Sequence, residues 1–271
     1  MSVNKNMMLN ANTMPTVKQL YSYLSEQIPS SLTSEWDNDG LMICHDSDTV
    51  VKNVLLTLDV TSGALKRAAE LGCCVVISHH PLLFHPLKSI TDAGAVSSRA
   101  IYALQNNITV MSFHTRLDAQ KGGVNDVLAS LLDLYDTNNF GPVGEENTGR
   151  IGMLKNAMTL HEFSFIVKDK LGSPAVLVTG DLKREVRHIA LVGGDGKSFF
   201  LAAVDAGADV FVTGRASFDV TVDAPESNIA VIEAGHYYTE APVLRAVGNM
   251  ISKIYPGIII EYYNSNPSVL L

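Results

Sequence analysis

The strongest constraint on how this chain can fold is a strand–helix–strand unit that occurs twice. Val54-Leu-Leu-Thr-Leu-Asp-Val60 has the length and apolar content of a buried strand. Thr61 or Ser62 can cap the helix that follows, with Leu65, Ala68, Ala69 and Leu71 as its apolar positions and Gly72 just past its end. Val75-Val-Ile-Ser78 reads as a second strand. Elements in this order make the strands parallel, joined by a right-handed crossover. The plan returns at His188–Gly196, followed by an apolar helix over Phe199–Ala206 and a strand over Gly207–Thr213. Leu71-Gly72 stands before Val75 as Ala206-Gly207 stands before Val210, and both halves go on to Asn-Ile-x-Val, at Asn107 and at Asn228. The expected fold class is α/β, with two similar α/β domains produced by internal duplication.

The remaining segments fit around these units. A polar, Asn-rich stretch over 1–14 is expected to be a flexible tail. Thr16–Gln27 has helical spacing through Val17, Leu20, Tyr21 and Leu24, and Pro29 ends it. Glu35–Met42 reads as a turn-rich loop, and Thr137–Gly152 as a loop or domain connection. Helices are expected over Thr159–Leu171 and Ala241–Tyr255, and a strand over Gly257–Tyr263. The expected domains are 15–125 with 241–271, and 126–240.

Each half ends its last expected strand with the same chemistry, a histidine followed four residues later by a carboxylate: His114-Thr-Arg-Leu-Asp118 and His236-Tyr-Tyr-Thr-Glu240. The strand Val75–Ser78 delivers a third group, His79-His80, before Pro81. Open α/β sheets place ligands beyond the carboxyl ends of their strands. Imidazole and carboxylate are the usual ligands of zinc, manganese and iron, and a carboxylate can bridge two cations. Three or four histidines with two acids exceed the needs of one ion and suit a dinuclear, hydrolytic centre. His114 can be a ligand, or can orient its neighbours and move a proton. Val192-Gly-Gly-Asp-Gly-Lys-Ser198 lacks the spacing of a phosphate-binding loop. It is either an anion-binding turn with Lys197 and Ser198 as contacts, or a plain tight turn. No G-x-S-x-G elbow supports serine catalysis.

The net charge of −8 argues against nonspecific nucleic-acid binding. No apolar run approaches the ~18 residues of a membrane span, and the start lacks the apolar core of a secretory signal. Cys44, Cys73 and Cys74 are too few and wrongly spaced for a disulfide framework or a thiolate metal site. A cytoplasmic location, away from membranes, is expected.

At these residues the chain resembles the Nif-three-like family, dinuclear-metal hexamers often named GTP cyclohydrolase I type 2 homologues. The motifs are Trp36-Asp-Asn-Asp-Gly-Leu, Leu58-Asp-Val-Thr, Ile77-Ser-His-His-Pro-Leu-Leu-Phe, His114-Thr-Arg-Leu-Asp118 and Gly122-Gly-Val-Asn. Arg150-Ile-Gly, Val192-Gly-Gly-Asp-Gly, Ala234-Gly-His-Tyr-Tyr-Thr-Glu240 and Asn264-Ser-Asn-Pro follow. The resemblance implies two similar α/β domains with the metal site in the cleft between them, a homohexamer, and two divalent ions per chain drawn from Zn, Mn, Fe or Mg. It maps the metal ligands onto His79, His80, Asp118, His236 and Glu240, with His114 close by; if His114 is not a ligand, it is the candidate catalytic proton shuttle. It implies a metal-dependent hydrolase of a small phosphate-bearing or heterocyclic, GTP-like substrate; the alternative is a non-enzymatic metal-binding regulatory or scaffold protein. Two places depart from the family pattern: Arg116 stands where Asn is common, and Arg215 and Asp219 fill a region that often carries Gly-Asp and a following His. With Lys197, Arg116 and Arg215 are the candidate substrate-binding cations, since guanidinium suits phosphate or carboxylate.

Overall fold

The computed structural model describes residues 14–269. Its elements are α1 (Val17–Gln27), β1 (Gly40–Ile43), β2 (Asn53–Thr57), α2 (Ser62–Glu70), β3 (Val75–Ser78), α3 (Ala95–Gln105) and β4 (Thr109–Ser112). Then come α4 (Thr115–Ala119), α5 (Val124–Leu131), β5 (Tyr135–Phe140), β6 (Gly149–Thr159), α6 (Leu160–Leu171), β7 (Leu177–Thr179) and β8 (Glu185–Asp195). The chain closes with α7 (Phe200–Asp205), β9 (Val210–Arg215), α8 (Phe218–Glu226), β10 (Ala230–Glu233), α9 (His236–Glu240), α10 (Val243–Ile254) and β11 (Ile259–Tyr263). Two compact units result, one from 14–30, 36–114 and 247–265, the other from 31–35, 115–246 and 266–269. The expected tail lies outside the described residues except for Met14.

The first unit is a five-stranded sheet in the order β1-β4-β3-β2-β11. Strands β11, β2, β3 and β4 are parallel, and β1 runs antiparallel along the edge of β4. The central strands β2, β3 and β4 are buried almost throughout because both faces are covered. On one face Leu55, Val76 and Val110 pack with Ala64, Leu65 and Ala68 of α2 and Ala100 and Ala103 of α3. On the other, Gly248 of α10 lies against Leu56 and Tyr262, where a Cβ would come within 2.2 Å of the Tyr262 hydroxyl. Thr16 caps α1 in a reciprocal box with Gln19, and Thr61 caps α2 through the Ala64 amide.

The second unit is a six-stranded sheet in the order β5-β6-β8-β9-β10-β7. Its centre, β8-β9-β10, is parallel, and β7 runs antiparallel along β10. Alternation splits the strands between two cores. Ile189, Leu191, Val210, Val212, Ala230 and Ile232 face Phe163, Val167 and Leu171 of α6. Ala190, Val192, Phe211 and Val231 face Phe200 and Ala203 of α7 and Val220 and Ala224 of α8.

The two topologies correspond: β1-β4-β3-β2 repeats as β7-β10-β9-β8, with the antiparallel edge strand preceding the parallel trio in sequence each time. The turn residues correspond as well. Gly72 and Gly207 are left-handed at φ 64° and 72°, and Asn107 and Asn228 at 53° and 55°. Two similar α/β domains are therefore present. Two segment readings are corrected. Gly40–Ile43, which overlaps the end of the loop expected over Glu35–Met42, is edge strand β1. The two ends of the expected connection over Thr137–Gly152, Thr137–Phe140 and Gly149–Gly152, belong to the antiparallel pair β5–β6, and residues 141–148 join the two strands. Strand β5 reads Tyr-Asp-Thr-Asn-Asn-Phe and is exposed along its middle, so it carries no apolar alternation.

Candidate metal centre

In-register parallel pairing explains why distant histidines meet. Thr57 of β2 pairs with Ser78 of β3, and Ser78 with Ser112 of β4. The residues that follow, Leu58-Asp59, His79-His80 and Phe113-His114, therefore emerge together at one sheet edge. The ladder runs on past the strands, with the His80 amide donating to the Leu58 carbonyl at 2.9 Å and the Phe113 amide to the Ser78 carbonyl at 3.0 Å. The Ser78 hydroxyl donates to the His80 carbonyl at 2.7 Å, across the turn that brings consecutive histidines to one side. Their ring centroids stand 5.0 Å apart, and His114 lies 5.2 Å from His79 and 5.5 Å from His80. Ligand nitrogens of the three imidazoles fall within 4.8 Å of one another, as one ion requires.

The same nitrogen is oriented in all three rings. Nδ1 of His79 donates to the Phe113 carbonyl at 3.0 Å, Nδ1 of His80 to Asp59 at 2.9 Å, and Nδ1 of His114 to Asp37 at 2.8 Å. Each partner is an acceptor only, so Nδ1 carries the proton and Nε2 keeps the lone pair in the neutral ring. Oxygen acceptors behind imidazoles are the usual second layer of a metal site, fixing tautomer and orientation. Asp39 accepts from the His114 amide at 3.0 Å, and Ser265 supports Asp59 with its hydroxyl at 3.2 Å. Sequence reasoning gave Asp37, Asp39 and Asp59 no role. Their one sequence signal was their place in the Trp36–Leu41 and Leu58–Thr61 motifs.

The second unit carries a carboxylate-rich counterpart. Val192, Thr213 and Glu233 pair across β8, β9 and β10, so Gly193-Gly194, Gly214 and Ala234-Gly235-His236 share one sheet edge. Gly235, at φ 89°, turns the chain into α9. On that helix His236 Nε2 lies 2.9 Å from Oε2 of Glu240, whose side chain is buried. A carboxylate oxygen of Asp118, on α4, lies within 4.8 Å of one of Glu240. Buried Asn125 fixes the spacing, donating to the Asp118 carbonyl at 3.2 Å and accepting from the Gly193 amide at 2.8 Å.

The glycine run serves this cradle. A Cβ at Gly194 would stand 2.2 Å from Oε1 of Glu240, and one at Gly214 would stand 2.7 Å from Cα of His236. The Gly193, Gly194, Gly196 and Lys197 amides are engaged by Asn125, Thr239, the Arg215 carbonyl and Asp195. These amides are committed within the fold, as the plain tight turn of the two alternatives has them. The Lys197 ammonium lies 2.9 Å from Asp219. Hydrogen bonds from Ser217 and Lys197 hold the Asp219 carboxyl down at about 2. Arg116 is buried within α4, and Arg215 is exposed at the end of β9, next to Gly214.

The model of the Duf34/NIF3 (NGG1p interacting factor 3) family matches residues 15–267. The chain belongs to this family. Among Duf34/NIF3 relatives, the "GTP cyclohydrolase 1 type 2 homolog" of Clostridium acetobutylicum is 35% identical over 230 residues, covering 83% of this chain and 85% of that one. The protein of the same name from Clostridium perfringens is 32% identical over 240 residues, covering 88% and 91%. A solved Staphylococcus aureus structure superposes with a TM-score of 0.86 at 27% identity, over 96% of this chain and all of that one. The family match thus spans both α/β domains. Among the described residues no helix is long and apolar enough to cross a membrane.

Proposed function

We propose that this chain is a dinuclear metal protein whose centre hydrolyses a small phosphate-bearing or heterocyclic, GTP-like substrate. The observation that carries the reading is the triad of imidazoles, each with Nδ1 held by an oxygen so that Nε2 is presented to an ion. The six candidate ligands are His79, His80, His114, Asp118, His236 and Glu240, and among them the carboxylates are the groups able to bridge two ions. His114 belongs with the ligands rather than with the proton carriers, because Asp37 holds it as Asp59 holds His80.

The donor set of neutral nitrogen and carboxylate oxygen fits Zn, Mn or Fe better than Mg, which prefers oxygen alone. A bound pair supplies Lewis acidity and a water acidic enough to attack near neutral pH. The protein's own part is to hold the three rings in one tautomer and to keep Glu240 in its glycine cradle. Arg215, exposed beside Gly214, is the candidate cation for an anionic substrate group. The relatives' name supports a purine-type substrate, and the family resemblance supports a homohexamer, to be checked by light scattering. The three free cysteines support a cytoplasmic location.

The test is metal analysis with a hydrolysis screen over nucleotides and phosphodiesters, with Glu240→Ala as the control. About two ions per chain, and turnover lost together with metal, are expected. Full occupancy without turnover on any substrate would leave the protein a metal-binding scaffold, and one ion or none would end the dinuclear assignment.

A further inference from the structure

The imidazole cluster has an aromatic wall that the metal chemistry does not use. Trp36, the only tryptophan in the sequence, is 59% exposed, and Phe84 is 37% exposed. Large aromatics left open beside a ligand cluster call for an explanation, because they normally bury most of their area. Their ring centroids stand 6.1 Å apart, and each lies edge-on to His114, at 6.0 Å for Trp36 and 6.2 Å for Phe84. The three rings therefore form a corner in which both exposed aromatics stand against His114.

The corner is held in advance of any ligand. Asp37, next to Trp36, accepts from His114, and the Asn38 side-chain Nδ2 donates to the carbonyl of Leu83, next to Phe84. Anchored neighbours on both sides lower the ordering cost of stacking a ligand ring there.

We propose that Trp36 and Phe84 form a stacking site for a planar nitrogen heterocycle, which places the substrate's ring next to the His79–His80–His114 cluster. This deepens the reading of that cluster as a metal centre and rests on it. Stacking reads a π face rather than a hydrogen-bond pattern, so the site selects a flat ring over a sugar phosphate and tolerates several bases.

The single tryptophan makes the test direct. The metal-loaded full chain is titrated with GMP and with ribose 5-phosphate while Trp36 fluorescence is followed, and metal content is measured on the same samples. A saturable change with GMP is expected, with ribose 5-phosphate about tenfold weaker or more. Phe84→Leu, which keeps an apolar side chain but loses the π face, should weaken GMP by a similar factor at unchanged metal content, and Phe84→Tyr should restore it. Equal binding of ribose 5-phosphate, or unaltered GMP binding by Phe84→Leu, overturns the proposal. So does a fluorescence change that follows protein concentration instead of nucleotide, which would assign the aromatic pair to contact between copies. Intact metal content without ring binding sinks the stacking site alone. Ring binding by a protein that holds no metal sinks the metal centre alone.

Discussion

Replacing Gly194 by alanine separates the two reasons a glycine can be required, because Gly207 in the same unit supplies a control. Gly194 sits at φ 70° and Gly207 at φ 72°. Left-handed backbone costs an L residue about 1–2 kcal/mol, so both substitutions should destabilise the second unit by about that amount. Only Gly194 has a steric partner: its Cβ would fall 2.2 Å from Oε1 and 3.2 Å from Cδ of Glu240, whereas a Cβ at Gly207 meets nothing within 4 Å. The carboxylate is the far end of a side chain and can swing away, so the clash adds little to unfolding. The swing takes Glu240 out of place by about an ångström, well beyond the roughly 0.2 Å tolerance of metal–ligand distances. Urea unfolding should show similar midpoint losses for Gly194→Ala and Gly207→Ala at unchanged slope. Metal titration should show affinity falling by about 10–100-fold or more, in Gly194→Ala alone. Full metal content in Gly194→Ala, or equal metal loss in Gly207→Ala, would refute the cradle.

Asp59→Ala removes the acceptor behind His80 and should weaken metal binding by about 10–100-fold with secondary structure retained; unchanged affinity in a metal titration would count against the oriented triad. Thr159 closes a reciprocal capping box with Glu162 at the start of α6, so Thr159→Ala should cost about 1 kcal/mol in urea unfolding. Burial first, then the charge of Glu261, raises the Cys73 thiol from 9.0 to about 11. Its neutral form is the one the fold prefers, so this contribution is intact below pH 9 and is lost as the pH rises from 9 towards 11. The slope of stability against pH in that range should flatten in Cys73→Ala, and an unaltered slope would remove the thiol as its cause.

Much of the fold was legible because buried parallel strands announce themselves. Val54–Thr57, Val75–Ser78 and Val210–Thr213 are apolar on both faces, and their helices carry caps at Thr61 and Gly72 or a turn at Gly207. Edge strands do not announce themselves. Residues Gly40–Ile43 and Tyr135–Phe140 have one or both faces open to water, so polar residues and glycine fill places that alternation would otherwise mark. The turn at Gly193–Gly196 was ambiguous for a different reason. A glycine run looks the same whether its amides face an anion or its missing side chains make room for a neighbour, and only the position of Glu240 distinguishes them.

By itself, the sequence determined the elements and the chemistry carried at their ends. Strand period, helix caps and two His-x-x-x-acid segments are local properties, written within a few residues of one another. The tertiary structure decided which of these groups share a sheet edge. Asp59, His80 and His114 come together because Thr57, Ser78 and Ser112 pair in register, and a slip of one residue in any strand would turn their side chains to the other face. Tertiary structure likewise brought Asp37 behind His114 and set Trp36 against Phe84, contacts that span 77 residues in the first case and rest on long-range packing in both. No local pattern encodes such contacts, since their free energy depends on strand pairing formed elsewhere in the chain.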